Sequence, residues 1–176
     1  YNKKIVNFIS ERFENLLKYE NIEKFVIFKS LILENNNFDI FNIYKKCKIT
    51  FDFINTNNGE LFLKAFKRVL NILENENSIE EKIDEKKFKN DLLQSKFEIE
   101  LYEIFNKNFV QKSLNFNTLI TSLVILSKPI NIFFEKVQIN DKNLLLKNNR
   151  LCLLSNIKNY VIREIDFSKI IKGEEL

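Results

Sequence analysis

The clearest helical signal in this sequence is Glu60-Leu-Phe-Leu-Lys-Ala-Phe-Lys-Arg-Val-Leu-Asn-Ile-Leu-Glu-Asn75. Apolar side chains recur on one face of the helix predicted over residues 60–75: Phe62, Phe66, Val69, Leu70 and Leu73. Polar side chains recur on the opposite face, and we call these four residues the basic stripe: Lys64, Lys67, Arg68 and Asn71. The pattern predicts a helix that buries its apolar face and exposes a positively charged one.

Three more helices are predicted upstream, over about residues 4–18, 22–34 and 39–54, because apolar residues recur there at helical spacing. The first is expected to turn these side chains inward: Ile5, Phe8, Ile9, Phe13 and Leu16. The third is expected to bury these: Ile40, Ile43, Tyr44, Cys47 and Phe51. The Asn-rich segment Asn55–Gly59 is predicted to be a turn.

A second set of helices is predicted downstream, after an acidic connection over residues 74–83. A short helix is expected to start at Asp84 or Glu85, and Ser95 is expected to cap the next one, which reaches Phe109. The remaining predicted helices cover 117–126, a segment with Pro129 in its first turn, and, after a break at Asn140-Asp141, residues 143–164.

The composition favours an all-α fold, a helical bundle. The 176 residues include only two glycines and one proline, whereas sheets and tight hairpins usually need more of both. We expect a single domain, 1–176, with a candidate internal boundary at 74–84. Because the chain starts at Tyr1 rather than Met, we interpret it as a piece of a longer protein.

No catalytic chemistry is indicated. The chain has no histidine, which removes Ser-His and Cys-His mechanisms and most metal sites, and its glycines are too isolated for a phosphate loop. Cys47 and Cys152 are expected to be reduced and buried. We expect no catalytic residue, no metal site and no cofactor in this chain. No stretch is apolar enough to predict a membrane span and no signal peptide is visible, so we expect a cytoplasmic protein.

The net charge of +4 is unevenly spread, because residues 74–103 are acidic on balance. The excess positive charge therefore lies on the flanking parts, which is compatible with one side facing a nucleic acid. Two interpretations of the basic stripe stay open. It contacts RNA phosphates or bases, or it is a solvated helix face that binds nothing.

Two arginines lie close to apolar faces of predicted helices. Arg12 falls between Phe8 and Leu16, and Arg150 projects near the inner face of the last helix. We expect both guanidinium groups to be held by buried carboxylates or by carbonyls at helix C-termini.

Three phenylalanines are candidates for packing rather than recognition. Phe133 and Phe134 could stack on unpaired bases, but adjacent residues of a helix do not point to opposite sides, so packing of at least one in the core is favoured. Phe167 is expected to anchor the segment Asp166–Lys169 on the bundle.

Four ordered blocks of sequence resemble one known family. They are Phe8-Ile-Ser-Glu-Arg-Phe13, Ala65-Phe-Lys-Arg-Val-Leu-Asn-Ile72, Pro129-Ile-Asn-Ile-Phe-Phe-Glu-Lys-Val137, and Asn149-Arg-Leu-Cys-Leu-Leu154 followed by Asp166-Phe-Ser-Lys169. Together they resemble the C-terminal anticodon-binding domain of the bacterial glycyl-tRNA synthetase beta subunit. The family tends to have Asp where Asn131 stands and an apolar residue where Ser10 stands, and residues 22–34 match poorly.

The resemblance implies a helical bundle of the DALR anticodon-binding type, in a fragment of a longer beta subunit. The parent enzyme, an aminoacyl-tRNA synthetase, would join glycine to its tRNA with ATP and Mg²⁺, as a heterotetramer of alpha and beta subunits. This fragment would be non-catalytic and would bind the anticodon stem-loop of tRNA(Gly). Cytosines of glycine anticodons present an amine donor, so hydrogen-bond acceptors are expected near them.

Two alternatives stay open. The first is a helical protein-interaction module that binds no RNA. The second is the related domain of arginyl-tRNA synthetase, against which the Pro129 and Asp166 blocks argue.

Overall fold

The computed structural model describes residues 3–31, 39–79, 83, 85–111 and 115–172. These ranges hold helices and turns but no strand, so the all-α prediction is confirmed for them. The α-helices are α1 Lys3–Glu20, α2 Ile22–Leu31, α3 Ile40–Ile54, α4 Asn57–Ile79, α5 Lys96–Phe105, α6 Phe116–Lys136, α7 Leu144–Ile162 and α8 Phe167–Lys172.

The central helix of the bundle is α4, which packs against α3, α6, α7 and α8. Its apolar face is buried as predicted: Phe62, Phe66, Val69, Leu70 and Leu73. The ring of Phe167 in α8 meets the rings of Phe62 and Phe66 edge-on, at centroid distances of 5.1 and 6.1 Å. Burying one Phe side chain contributes about 1.5–3 kcal/mol. This cluster therefore fixes α8 against α4 and leaves the opposite face of α4 to solvent.

The joint between α3 and α4 is shorter than the predicted turn, because α4 already begins at Asn57. The Thr56 hydroxyl accepts a hydrogen bond from the Gly59 N–H at 3.1 Å and so caps the first turn of the helix. A Cβ at Gly59 would lie 2.1 Å from the carbonyl oxygen of Phe53. Glycine is therefore required where the start of α4 packs on the end of α3.

One continuous helix, α6, replaces the two helices predicted on either side of Pro129, which lies buried inside it. The proline removes one N–H from the helix. Around it, the Ser127 hydroxyl donates to the Val124 carbonyl at 2.8 Å and the Asn131 amide donates to the Ser127 carbonyl at 3.0 Å. The buried stripe runs through the proline without a break: Leu119, Leu123, Leu126, Ile130 and Phe133. Packing of this shared face outweighs the lost hydrogen bond.

The same helix corrects a second prediction. Among the described residues, α6 alone is long and apolar enough to cross a membrane, with a mean hydropathy of 1.3 over its most apolar window. A core helix of a folded bundle meets the same criterion. In this structure 44% of that window is buried, and α6 packs against α4 and α5. Packing within the chain thus accounts for the buried part of its apolar surface.

The acidic segment is more helical at its start than predicted, because α4 continues to Ile79. Residues 80–82 and 84 lie outside the described part, and the internal boundary at 74–84 stays a prediction. In place of the short helix expected from Asp84 or Glu85, two 3-10 turns precede α5, Glu85–Lys87 and Asn90–Leu92. A π-helical turn, Asn106–Val110, extends α5 as far as the predicted end of that helix.

The predicted inner face of α1 is correct for Phe13 but wrong for three of its other residues. Phe8, Ile9 and Leu16 are exposed, whereas Leu17 is buried. The side of α1 that faces the bundle is centred on Phe13 and Leu17, and the Phe13 ring packs on Phe28 of α2 at 5.3 Å. The side chain of residue 5 lies outside the described part, and so do residues 32–34 of the second predicted helix.

The remaining helices begin close to their predicted positions, each with a side-chain cap. The Asp39 carboxylate accepts from the Asn42 N–H at the start of α3, and the Asn143 side chain accepts from the Leu145 N–H at the start of α7. Cys47 in α3 is buried as predicted, but Tyr44 is exposed.

Candidate functional site

The basic stripe lies on the solvent face of α4, opposite the buried phenylalanines. Lys64, Lys67, Arg68 and Asn71 are all exposed. Lys64 has a carboxylate neighbour, Glu60, at 3.6 Å, but both side chains are more than half exposed and such a pair is worth little. Lys67 has no ion-pair partner among the described residues. The stripe therefore presents net positive charge to solvent.

Arg68 does not project freely but lies over the ring of Phe134 in α6, with its guanidinium carbon 4.5 Å from the ring centroid. Phe134 is half-buried, and its ring packs edge-on against the fully buried ring of Phe133 at 5.9 Å. A row of contacts thus connects the core, through two aromatic rings, to an exposed cation. Sequence reasoning placed Phe133 correctly but missed that Phe134 joins α6 to the basic stripe.

Two lysines of the C-terminal half contact carboxylates of the acidic segment. Lys172 of α8 contacts Glu74 at 2.7 Å, and Lys147 of α7 contacts Glu76 at 2.7 Å. The acidic segment is therefore not simply a solvated run of charge, because its carboxylates join α4 to α7 and α8. The Lys147–Glu76 pair is largely buried, whereas Lys172 and Glu74, like Lys64 and Glu60, are both more than half exposed.

Arg150 occupies the position predicted for it, inside the bundle. It is 7% exposed, and its guanidinium is held by the buried carboxylate of Glu98. A second donor, Nη1, contacts the Asp141 carboxylate at 2.8 Å and the Gln138 carbonyl at 2.8 Å. The residue thus ties α7 to α5 and to the loop after α6.

Glu98 performs two tasks at once, which sequence reasoning missed. Besides holding Arg150, its carboxylate accepts the N–H groups of Ser95 and Gln94 at 2.6 and 2.8 Å, while the Ser95 hydroxyl accepts the Glu98 N–H at 3.2 Å. This is a capping box at the start of α5. The spacing Ser95-x-x-Glu98 was the available sequence signal.

The electrostatics of this cluster follow from its contacts. Burial alone would raise the pKa of Glu98, but the hydrogen bonds from Arg150 and from the backbone at Ser95 and Gln94 outweigh it, so the pKa lies below its ordinary value. The pKa of Asp141 is lowered too, first by the Asn143 N–H and then by Arg150. Arg150 is a structural cation whose charge is matched inside the fold.

Arg12 does not share this arrangement, so the prediction for it is wrong. It is exposed, and its guanidinium lies over the ring of Phe8 at 4.8 Å rather than against a buried carboxylate. The reason is the orientation of α1, which turns Phe13 and Leu17 inward and leaves Phe8 and Arg12 outside.

Asp166 and Phe167 anchor the end of the described chain as predicted. Phe167 is fully buried. The Asp166 N–H donates to the Ser30 carbonyl of α2 at 3.0 Å, and its carboxylate accepts from the Ser168 N–H at 3.1 Å and from the Ser168 hydroxyl. These contacts join the start of α8 to α2.

The described residues offer little for covalent chemistry. Burial raises the pKa of the Cys47 thiol to about 11, against the opposing effect of Lys24, so the thiol stays protonated at neutral pH. Cys152 is also free and buried. No group of three or more His, Cys, Asp or Glu side chains in this part of the chain could hold a metal ion. The exposed cations of the basic stripe are suited to binding anions, and the guanidinium of Arg68 is suited to planar rings as well.

Comparison with known proteins shows which proteins this chain resembles in sequence. No family model matches it. A glycine–tRNA ligase beta subunit from Ruegeria sp. (strain TM1040) is 29% identical over 175 residues, covering 94% of this chain and 25% of the relative. The beta subunit from Sulfurihydrogenibium sp. (strain YO3AOP1) is 31% identical over 180 residues, covering 98% of the chain and 25% of the relative.

A third relative, the glycine–tRNA ligase beta subunit of Clostridioides difficile (strain 630), is 26% identical over 174 residues, with 96% of this chain covered. The chain spans about a quarter of the length of these relatives. The similarity therefore extends over nearly the whole chain but only part of each relative. The chain is therefore similar, over nearly its whole length, to a segment that makes up about a quarter of the glycine–tRNA ligase beta subunits.

Proposed function

We propose that this chain is the tRNA-binding part of a glycine–tRNA ligase beta subunit and that it binds the anticodon stem-loop of tRNA(Gly). The observation that carries the proposal is the similarity to beta subunits across 94–98% of the chain. The parent enzyme would join glycine to tRNA with ATP and Mg²⁺, with an alpha subunit completing a cytoplasmic heterotetramer. This chain would supply binding and no catalytic group.

The structure supports the proposal through the basic stripe. Lys64, Lys67 and Arg68 project from one face of a helix whose other face is buried. A rigid row of cations matches the phosphates of an RNA backbone, and Arg offers in addition a planar forked donor for bases. Asn71 at the end of the row carries an amide oxygen, an acceptor of the kind that the cytosine amine requires.

The all-helical bundle is compatible with the DALR anticodon-binding type, which we propose as its fold family. Lys147 of α7 supports the choice of α4 as the RNA-facing element, because Lys147 and its partner Glu76 are both largely buried, whereas Lys67 of α4 is exposed. Anticodon readout would then be built around α4 and the adjoining residues of α6.

The test is a titration of the chain with the anticodon stem-loop of tRNA(Gly), and with the same stem-loop after its anticodon cytosines are replaced by uridines. The proposal predicts tighter binding of the unaltered RNA, by about 5- to 150-fold per mismatched base if each contact is worth about 1–3 kcal/mol. Equal affinities for the two RNAs would contradict anticodon readout, although RNA binding itself would stand.

A second candidate function is a protein-interaction module. The exposed apolar side chains of α1 favour it: Phe8 55%, Ile9 47%, Leu16 50% and Tyr19 92% exposed. Large apolar side chains exposed on one helix are compatible with a protein contact. The same titration discriminates, because RNA binding weakens steeply with salt. Absence of any salt-dependent binding would favour this second candidate.

A further inference from the structure

Arg68 is positioned by a ring from another helix. Its guanidinium carbon lies 4.5 Å from the centroid of Phe134, and Phe134 rests on the buried Phe133. The arginine side chain is nevertheless exposed. One side of the cation is therefore occupied by an aromatic ring, while the group as a whole remains accessible to a ligand.

Two other exposed arginines lie over rings, but differently. Arg12 lies over Phe8 within α1, and Arg163, just after the end of α7, lies over Tyr160 of its last turn, so both contacts are local in sequence. The Arg68–Phe134 contact joins α4 to α6, two helices that pack together in the core. Its geometry is therefore set by the tertiary structure, which pre-organises the cation for binding.

We propose that Arg68, supported by Phe134, is a stacking site for one unpaired nucleobase of the anticodon loop. This inference rests on the proposed function and adds to it the chemistry of the ligand at this position. Guanidinium planes and aromatic rings are the surfaces on which proteins stack splayed-out RNA bases. An ammonium group has no plane, so Lys64 and Lys67 are suited to phosphates instead.

Residues of the basic stripe would then have different roles in RNA binding. Lys64 and Lys67 hold the backbone of the RNA, and their contribution depends on salt but not on the base. Arg68 holds a base, and its contribution depends on whether that base is present. Phosphate binding and base stacking therefore predict different results when one base is deleted from the RNA.

The experiment compares the wild-type chain with Arg68→Lys, which keeps the charge and removes the plane. Each is titrated with the tRNA(Gly) anticodon stem-loop and with stem-loops in which one loop nucleotide at a time is abasic. We expect wild type to lose about tenfold in affinity at one abasic position. We expect Arg68→Lys to bind the intact RNA with that lower affinity already. Removing the base at the same position should then cause no further loss of affinity in the variant.

Three results would overturn the inference. Arg68→Lys could bind the intact RNA as tightly as wild type, or it could weaken binding to intact and abasic RNAs by the same factor at every position, which is the behaviour of a phosphate contact. In both cases RNA binding, and with it the proposed function, would survive. Failure of the wild-type chain to bind the stem-loop would overturn both.

Two controls separate recognition from folding. Phe134→Leu keeps an apolar side chain but removes the ring beneath Arg68, and we expect it to reproduce the loss of base dependence. Lys67→Gln is the matched control on the same helix face, and we expect it to weaken all the RNAs by one factor. The melting temperature of each variant, measured without RNA, shows that the compared proteins are folded.

Discussion

The guanidinium of Arg150 and the carboxylate of Glu98 form an ion pair inside the bundle, with Arg150 7% and Glu98 1% exposed. The pair joins α7 to the first turn of α5, where Glu98 also completes the capping box with Ser95. Removing one member of a buried pair leaves the other charged and unpaired, which costs about 3–5 kcal/mol.

Arg150→Ala should therefore lower the unfolding free energy by about 3–5 kcal/mol. It should leave RNA affinity nearly unchanged at a temperature where the variant is folded, because Arg150 lies in the bundle and not on α4. Thermal unfolding and an RNA titration of the same sample measure both quantities. A normal melting temperature combined with lost binding would mean that Arg150 contacts RNA instead.

Stability should fall in acid, and Glu98 should be one reason. Because the pKa of Glu98 is lower in the folded chain than in the unfolded one, its contribution is complete above the unfolded pKa, about 4.3. The contribution is lost as the pH falls through the folded pKa. The stability difference between wild type and Glu98→Gln should therefore shrink below about pH 4.

Denaturant titrations over a series of pH values measure that difference. Glu100→Gln is the matched control, since Glu100 is exposed on the same helix. A difference between wild type and Glu98→Gln that stays constant across the acid range would show that the Glu98 carboxylate is not stabilised by its partners.

Gly59→Ala should be destabilising although alanine favours helices. The new Cβ would lie 2.1 Å from the Phe53 carbonyl oxygen, which is backbone and has to move away. Overpacking of this kind typically costs about 1–3 kcal/mol. Asn58→Ala, one residue earlier and exposed, should be close to neutral in the same denaturant titration. Equal effects of the two substitutions would indicate that α3 and α4 do not approach this closely.

Apolar residues of α1 and α4 should differ in their effects on stability. Phe62→Ala removes a fully buried ring and should cost about 3–5 kcal/mol, whereas Phe8→Ala removes a ring that is 55% exposed and should cost far less. Chemical denaturation of the two variants provides the measurement. A large loss in Phe8→Ala would mean that α1 turns its other side to the bundle in solution.

The sequence predicts buried and exposed faces correctly where its hydrophobic pattern allows only one interpretation. Residues 60–75 separate apolar from polar side chains cleanly, and the structure buries Phe62 and exposes Lys67 accordingly. The prediction failed at α6 because Pro129 was given more weight than the stripe Leu126, Ile130 and Phe133, whose spacing of four and three residues continues one helical face through the proline.

The errors in α1 and at the site have a different cause. In α1 both Leu16 and Leu17 are apolar, and periodicity within one helix does not show which of them α2 covers. The Arg68–Phe134 contact joins residues far apart in sequence, so it depends on how α4 packs on α6. The pattern within a single helix predicts which of its faces is apolar. Which residues of two helices contact each other depends on the tertiary structure.

The measurement that tests the central claim most directly is the salt dependence of anticodon stem-loop binding for wild type and for the double variant Lys64→Gln/Lys67→Gln. We predict that log K falls linearly with log salt, and that the double variant reduces the slope by about 1.4–1.8, since each phosphate contact contributes about 0.7–0.9. An unchanged slope with unchanged affinity would contradict the assignment of the exposed face of α4 as the RNA-binding surface.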